Sequence, residues 1–317
     1  QTMKPKIVFL DRYTLNGAPL KGIEQIGQFT SYDNTSADEL MERAGDAEII
    51  ITNKVPFDRA RLAALPKLRL ICVAATGLNT IDLDAAAQLG IEVRNAVGYS
   101  TESVTEATIG AAIALLRETV YYDGFIKQGR YSSEGRMFNF DRPTRRLHGR
   151  RWGIVGLGTI GHSVARVAAV LGCEVVYAST SGVERQEPYR RLTLEQLLAT
   201  SDIVSVHCPL NPHTRGLIGR QQIEAMKRDA LLINMARGGI VDEAALASAL
   251  DDNLIAGAAL DVFTSEPIEA DSPLLRIKDP YKLLLSPHNA WSAAESIEVL
   301  AECIMNNIRD YCSRHNR

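Results

Sequence analysis

Short runs of β-branched and other apolar residues alternate with longer helical patterns along nearly the whole chain. Parallel strands need a crossover of a dozen or more residues, usually a helix, so this alternation predicts an α/β protein with doubly wound parallel sheets. The strand candidates are residues 6–11, 48–52, 68–73, 91–95, 151–155, 174–178, 203–207, 231–235, 256–261 and 283–286.

Helical periodicity fills the segments between these strands. The predicted helices are residues 37–44, 81–89, 104–116, 160–171 and 293–312. Gly90 closes the second of them as a C-cap. The apolar stretch 104–116 is shorter than the roughly 18 to 20 residues of a membrane span, which favours a buried helix. Segment 132–149 contains Gly, Arg and Pro without periodicity and is predicted to be a surface loop.

Composition excludes several classes of protein. The chain has 317 residues, 46% of them hydrophobic, and a formal net charge of −3 without long blocks of one sign. Its length predicts two domains, and its charge argues against nucleic acid or an anionic membrane as a partner. Residues 1–6 lack the pattern of a signal peptide. Five scattered cysteines show neither disulfide nor zinc-site spacing, which predicts reduced thiols, a cytoplasmic location and no metal.

One glycine-rich motif lies between a predicted strand and a predicted helix. Gly156-Leu157-Gly158-Thr159-Ile160-Gly161 has the spacing G-x-G-x-x-G, which in this context is typical of a dinucleotide-binding loop. Gly156 and Gly158 permit a tight turn and close approach of a pyrophosphate, and Gly161 lets helix and strand pack closely. Thr159 and Ile160 open the helix, whose N-terminus faces the phosphates. The alternative is a glycine turn in another βαβ unit.

The end of the following strand leaves the choice of coenzyme open. NAD-binding proteins of this kind carry an acidic residue there for the adenine ribose, whereas this chain has Ser179. Arg185 lies a few residues further on and could reach the 2′-phosphate of NADP, although a solvated loop arginine is the competing interpretation. The sequence predicts NAD as the coenzyme, with NADP possible.

Three ionisable residues follow three later strands. Arg237, Glu266 and His288 each come shortly after a predicted strand ends. In open α/β sheets the ligand crevice lies outside the carboxyl ends of the strands, so these side chains can converge on one cleft. Each alone could have a local role: Arg237 as a phosphate ligand, Glu266 as a turn cap, His288 as a hydrogen-bonding residue. Together, behind a dinucleotide motif, they indicate catalysis.

These motifs in combination resemble the D-isomer-specific 2-hydroxyacid dehydrogenases. The resemblance rests on the glycine motif, Arg237-Gly238, the run from Asp261 to Pro267, and Pro287-His288, and it covers nearly the whole chain. Within the family it is closest to glycerate dehydrogenase (hydroxypyruvate reductase), on residues 76–79, 99–101 and Trp291.

The resemblance implies a domain organisation that periodicity does not reveal. Periodicity alone predicts two sequential domains. The family instead has two Rossmann-like domains, with the coenzyme domain inserted in the substrate domain. By analogy, residues 1–97 and 288–317 form the substrate domain and residues 98–287 the NAD(P)-binding domain. The family also forms a homodimer through the long helix 104–116 and its neighbours.

The resemblance further implies a catalytic mechanism. Hydride passes between the nicotinamide and the carbonyl carbon of a 2-oxoacid, and His288 donates or accepts the proton, which suits a side chain whose unperturbed pKa lies near neutrality. Glu266 holds the other ring nitrogen of His288, fixes its tautomer and stabilises the imidazolium. Arg237 binds the substrate carboxylate with its planar guanidinium. Ala75, Thr76 and Gly77 offer backbone N–H groups to the same carboxylate.

Further positions carry roles over from the family. Asp261 matches the residue that bonds the nicotinamide carboxamide, and Trp291 is expected at the substrate. The other expected coenzyme contacts are Thr105, Ser179, Cys208, Pro209, Thr214, Met235 and Ala236.

The sequence therefore predicts an NAD(P)-dependent oxidoreductase that interconverts D-glycerate and hydroxypyruvate. One alternative is a related enzyme acting on glyoxylate, D-lactate or phosphite. Formate dehydrogenase is disfavoured because that branch lacks the glutamate partner that Glu266 provides. The alternative from another class is a dinucleotide-sensing regulator that resembles the C-terminal-binding corepressors, which retain the same three residues.

Overall fold

The computed structural model describes residues 4–183 and 186–315, which form two compact units. The first unit contains the described residues of Gln1–Ser100 and of Ser292–Arg317, and the second contains those of Thr101–Trp291. Each unit has a parallel sheet of its own. The prediction of an α/β protein with two parallel-sheet domains is confirmed.

The sheet of the first unit is formed by short parallel strands. These are β1 (Lys6–Phe9), β2 (Gln28–Ser31), β3 (Ile49–Thr52), β4 (Leu70–Val73) and β5 (Glu92–Arg94). Their order is β2-β1-β3-β4-β5. The central strands β3 and β4 are buried at every position, as expected where both faces of a parallel sheet are covered. Strand β2 was not predicted, because its residues at the edge are mostly exposed and polar and show no apolar run.

The sheet of the second unit is larger. Its strands are β6 (Arg151–Val155), β7 (Glu174–Ala178), β8 (Arg190–Arg191), β9 (Ile203–Val206), β10 (Leu231–Asn234), β11 (Gly257–Leu260) and β12 (Leu283–Leu285). They run parallel in the order β12-β11-β10-β9-β6-β7-β8. The two-residue edge strand β8 was not predicted, because two exposed arginines carry no strand pattern.

Helices connect the strands in both units. In the first unit, the helices that precede Thr101 are α1 (Ile23–Ile26), α2 (Leu40–Ala44), α3 (Arg59–Ala63) and α4 (Leu83–Gln88). Those of the second unit are α5 (Thr101–Leu116), α6 (Thr119–Lys127), α7 (Arg130–Glu134), α8 (Thr159–Val170), α9 (Leu194–Thr200), α10 (Arg220–Glu224) and α11 (Glu243–Asp251). The final helix α12 (Ala294–Arg314) returns to the first unit.

Helix α5 differs from its predicted bounds, and helix α7 was not predicted. Helix α5 begins at Thr101, three residues before its apolar run, because Thr101 and Glu102 are compatible with a helical first turn although neither is apolar. Helix α7 extends to Glu134, so the prediction of irregular structure is wrong for the first residues of 132–149. The remainder of that segment contains neither helix nor strand.

The strand order of the second unit places its ligand crevice. From β6 the chain passes to β7 on one side and later returns to β9 on the other side of β6. Loops after β6 and β9 therefore diverge at their carboxyl ends, which is where open α/β sheets bind ligands. The residues that follow these strands, Gly156 and Cys208, begin the site described next.

Candidate active site

The glycine motif forms a tight turn between β6 and α8. Gly156 has a φ of +92°, and a Cβ placed on it would lie 2.8 Å from the Cβ and backbone nitrogen of Cys208. A Cβ on Gly161 would overlap the carbonyl oxygen of Gly156, so this glycine permits close packing of helix on turn. Gly158, the N-cap of α8, instead has open space around the position of a Cβ. A phosphate group can therefore approach the helix N-terminus at Gly158.

A cleft opens beside this turn, with an empty volume of about 600 Å³. Its lining comes from the turn after β6 and from the residues after β7 and β9. These residues are Gly156, Leu157, Gly158, Tyr177, Ser179, Thr180, Ser181, Val183, Glu187, His207, Cys208 and Pro209. The structure thus brings together five of the expected coenzyme residues: Gly156, Gly158, Ser179, Cys208 and Pro209. Arg185 lies outside the described residues.

The remaining expected coenzyme residues have varied surroundings. Thr159 and Ile160 lie in the first turn of α8. The buried hydroxyl of Thr214 donates to the carbonyl oxygen of Pro209 at 2.6 Å and accepts from the backbone N–H of Asn211 at 2.8 Å. It therefore shapes the loop that carries Pro209. Two further positions, Met235 and Ala236, follow strand β10 and are partly buried. The hydroxyl of buried Thr105 on α5 donates to the carbonyl oxygen of Thr101.

His207 is a cleft residue that the sequence analysis missed. Its Nε2 lies 2.9 Å from the hydroxyl of Ser205, which in turn accepts the indole N–H of Trp152 at 2.8 Å. A hydroxyl has one proton and two lone pairs, so the contact between Ser205 and Nε2 forms with either tautomer of the His207 ring. Burial lowers the pKa of His207 to about 4, so the ring is neutral at pH 7. A histidine directly after a strand of this sheet is the signal that could have found it.

Cys208, beside His207, is also uncharged. Burial raises the pKa of its thiol to about 11, although a hydrogen bond with Thr180 acts in the opposite direction. His207 and Cys208 therefore add no charge to the cleft at pH 7.

Arg237, Glu266 and His288 follow three neighbouring strands, β10, β11 and β12. Glu266 Oε2 lies 2.6 Å from Nδ1 of His288, and Glu266 Oε1 accepts the backbone N–H of Phe263 at 3.0 Å. An ionised carboxylate only accepts hydrogen bonds, so it holds the proton of His288 on Nδ1. Nε2 is then the unprotonated nitrogen of the neutral ring. Both side chains remain partly exposed.

Asp261 organises the loop that carries His288. His288 has a φ of 52°, which is uncommon for a residue with a Cβ. Its backbone N–H donates to the carbonyl oxygen of Asp261, and the indole N–H of Trp291 donates to the carbonyl oxygen of His288, both at 2.8 Å. The buried carboxylate of Asp261 accepts from the hydroxyl of Ser286 and from two backbone N–H groups, of Asn289 and Ala290. These bonds fix the position of the histidine, a role for Asp261 that sequence reasoning did not foresee.

Arg237 lies in a turn held by its neighbours. The side chain of Asn234 accepts from the backbone N–H of Ala236 and donates to the carbonyl oxygen of Arg237. A Cβ on Gly238 would overlap the carbonyl of Phe263, so the turn after β10 packs directly on the turn after β11. This contact requires glycine after Arg237, and it brings the loop of Arg237 against the loop of Glu266.

The expected carboxylate-binding loop lies in the first unit, after β4. Ala75 and Thr76 use their carbonyl oxygens within that unit: one accepts the backbone N–H of Ala96 and the other the side-chain amide of Asn95. These bonds anchor the loop to the residues after β5, with Gly77 next in the chain.

Among residues 4–183 and 186–315, no group of three or more His, Cys, Asp or Glu side chains is placed to hold a metal ion. In the same part of the chain, no helix is both long and apolar enough to cross a membrane.

Residues 109–290 match the family model of the D-isomer specific 2-hydroxyacid dehydrogenase, NAD binding domain. The chain belongs to this family. It is 38% identical to the glycerate dehydrogenase of Methylorubrum extorquens, with 98% of this chain and 96% of that protein covered. It is 33% identical to the glyoxylate reductase of Korarchaeum cryptofilum, with 96% and 92% covered.

A solved structure of a coenzyme-bound reductase has the same fold. An acyclic imino acid reductase in complex with NADPH and D-Arg superimposes with a TM-score of 0.85 at 25% identity, covering 98% of this chain and 97% of that one. The predictions of the family, of an oxidoreductase acting on CH–OH groups, and of a nicotinamide coenzyme are confirmed. The open space at Gly158, at a helix N-terminus, fits the pyrophosphate of such a coenzyme.

The pair of His288 and Glu266 leads to a first prediction. His288→Ala lowers kcat for 2-oxoacid reduction by roughly 10² to 10⁴, the usual contribution of a general acid. Glu266→Gln lowers kcat by about 10- to 100-fold, because an amide stabilises the imidazolium less and can donate to Nδ1, which favours the wrong tautomer. Steady-state kinetics measure both effects. Exposed Glu269→Gln, on the same loop, is the control, and an equal loss in that variant contradicts the assignment.

The lowered pKa of His207 leads to a second prediction. Between about pH 4 and pH 6.5 the unfolded chain binds a proton at this residue and the folded chain does not, so the free energy of unfolding falls as pH falls. From pH 7 to pH 4.5, wild type loses about 1 to 2 kcal/mol more than His207→Gln. Urea unfolding at each pH measures this difference, with exposed His213→Gln as the control. Parallel stability curves for wild type and His207→Gln contradict the prediction.

Proposed function

We propose that this enzyme reduces hydroxypyruvate to D-glycerate and catalyses the reverse oxidation. The observation that carries the proposal is the 2.6 Å contact between His288 and Glu266 at the carboxyl edge of the sheet that forms the glycine turn. Similarity to a glycerate dehydrogenase over nearly the full chain supports hydroxypyruvate as the 2-oxoacid.

The chain binds the 2-oxoacid at its carboxylate and at the adjacent carbonyl group. Arg237 binds the carboxylate of the 2-oxoacid and polarises the adjacent carbonyl, since a guanidinium offers several N–H donors in a fixed plane. The family resemblance assigns the backbone N–H groups of Ala75, Thr76 and Gly77 to the substrate carboxylate as well. The indole N–H of Trp291 donates a hydrogen bond to the His288 carbonyl oxygen, and the indole ring forms part of the substrate site.

Proton transfer is the task of His288. The bound nicotinamide coenzyme supplies the hydride. As the carbonyl oxygen gains negative charge, Nε2 of His288 donates its proton to it, and in the oxidation Nε2 takes the proton back from the hydroxyl. Glu266 stabilises the imidazolium and holds the ring in one orientation throughout.

The coenzyme is held along the carboxyl edge of the seven-stranded sheet. The residues assigned to it are Gly156, Gly158, Thr159, Ile160, Gly161, Ser179, Cys208, Pro209, Thr214, Met235, Ala236, Asp261 and Thr105. Asp261 bonds the nicotinamide carboxamide in addition to the loop of His288, which a carboxylate allows because it accepts about four hydrogen bonds.

The choice among 2-oxoacids is tested by initial rates at 340 nm. Hydroxypyruvate, glyoxylate and pyruvate are compared at matched concentrations with NADH and with NADPH, with His288→Ala as the control for background. We expect kcat/KM for hydroxypyruvate to exceed the other two by roughly tenfold or more, because a site that hydrogen-bonds the extra hydroxyl discriminates against substrates without it.

Other outcomes of this assay identify the competing functions. A higher kcat/KM for glyoxylate contradicts the proposal and assigns a glyoxylate reductase, a function found among the relatives. Coenzyme binding without turnover of any 2-oxoacid also contradicts it, and favours a dinucleotide-sensing regulator.

We further propose that the enzyme is a homodimer. The segment between α7 and β6 exposes three large apolar side chains: Met137 at 76%, Phe138 at 68% and Phe140 at 86%. Clustered exposure of this kind marks an interaction surface. A second copy of the chain is the occupant that the family resemblance implies, with the contact at α5 and its neighbours.

The dimer makes a prediction about this segment. Wild type sediments with the mass of two chains, and Phe138→Ser/Phe140→Ser shifts it toward one chain because the apolar contact area is lost. Sedimentation equilibrium measures the mass. Val170→Ser, which removes an apolar side chain exposed on α8, is the control. A monomeric wild type, or a double variant that remains dimeric, contradicts the proposal.

We also propose a cytoplasmic location. All five cysteines are free, four of them buried, which fits a reducing compartment.

A further inference from the structure

The cleft beside the glycine turn lacks an acidic residue at the end of β7. Strand β7 is followed by Ser179, Thr180 and Ser181, whose hydroxyls are neutral. The carboxylate that NAD-binding folds use to hold the adenine ribose is usually found at this strand end. A carboxylate that accepts hydrogen bonds from the adenine ribose of NAD must therefore come from another part of the cleft.

Glu187 places a carboxylate in this cleft from a different part of the chain. It lies eight residues after Ser179, before strand β8, and it is among the residues that line the cleft. Its side chain is only 10% exposed. Of the cleft-lining residues that the structure describes, Glu187 is the one with a formal charge at pH 7, because burial keeps His207 neutral.

His162 holds this carboxylate in position. Nε2 of His162 lies 2.6 Å from Oε2 of Glu187, and Nδ1 lies 3.0 Å from the carbonyl oxygen of Gly158. His162 stands in the first turn of α8, the helix that the glycine motif opens. The imidazole therefore ties Glu187 to the same turn that receives the pyrophosphate, at the end of the cleft formed by β7.

We propose that Glu187, held by His162, is the specificity-determining residue that selects NAD over NADP. In this position its carboxylate accepts hydrogen bonds from the ribose hydroxyls of NAD. The 2′-phosphate of NADP carries nearly two negative charges and is repelled by it. A protonated His162 would only cancel the negative charge of Glu187. The two side chains together therefore carry no net positive charge that could attract the 2′-phosphate. The inference concerns the coenzyme half of the proposed function and is independent of the 2-oxoacid.

Direct coenzyme titration tests the proposal. Dissociation constants for NADH and NADPH are measured from nicotinamide fluorescence, without a 2-oxoacid, for wild type and Glu187→Gln. We expect wild type to bind NADH at least about tenfold more tightly than NADPH, and Glu187→Gln to reduce that ratio by about tenfold, since removing the charge relieves the repulsion and weakens the hold on the ribose.

Two further variants act as controls. Glu195→Gln removes an exposed carboxylate on α9, outside the cleft, and is expected to leave the ratio unchanged. Arg185→Ala tests the arginine that could bind a 2′-phosphate, and is expected to leave the preference for NADH in place.

Three results overturn the proposal. The first is a wild type that binds NADPH as tightly as NADH. The second is an equal ratio of the two dissociation constants in Glu187→Gln and Glu195→Gln. The third is a wild type that favours NADPH together with an Arg185→Ala variant that loses most of its affinity for that coenzyme. Failure to reduce hydroxypyruvate does not affect this test. It contradicts the proposed substrate and leaves the coenzyme titration to decide the role of Glu187.

Discussion

All strands of the seven-stranded sheet run in the same direction, so every loop that follows a strand emerges at the same edge. Arg237, Glu266 and His288 are far apart in sequence, yet each follows one of three neighbouring strands, β10, β11 and β12. The glycine turn follows β6 at that same edge. One geometric constraint therefore gathers the glycine turn and these three residues at one edge, and the remaining interactions refine positions that the sheet has already set.

Close contacts between the loops supply much of that refinement. Gly156 allows the turn after β6 to touch Cys208 after β9, and Gly238 allows the turn after β10 to touch Phe263 after β11. At both positions a Cβ would lie too near a neighbouring backbone. These glycines act at the crossing points of loops, where an added methyl group would separate the elements that carry functional side chains.

Polar groups then orient the side chains of Glu266 and His288. Asp261 uses its buried carboxylate and its carbonyl oxygen to hold the loop of His288, and Glu266 bonds to both the His288 ring and the backbone of its own loop. A buried carboxylate that satisfies several N–H donors makes the backbone around it rigid. The left-handed conformation of His288 is maintained by this network.

The sequence by itself determined the α/β class, the position of the glycine turn, the family, and the placement of Arg237, Glu266 and His288 after strands of the sheet. Each depends on local information: periodicity reports burial, and a motif reports the backbone that its glycines permit. The edge strands β2 and β8 were not predicted, because short, exposed strands carry no such periodicity. Only the tertiary structure decided which strands are neighbours, that Asp261 supports the histidine loop, and that Glu187 meets His162 across 25 positions of the chain. Those contacts are made by loops whose approach depends on sheet order, and no local pattern encodes the distance between two loops.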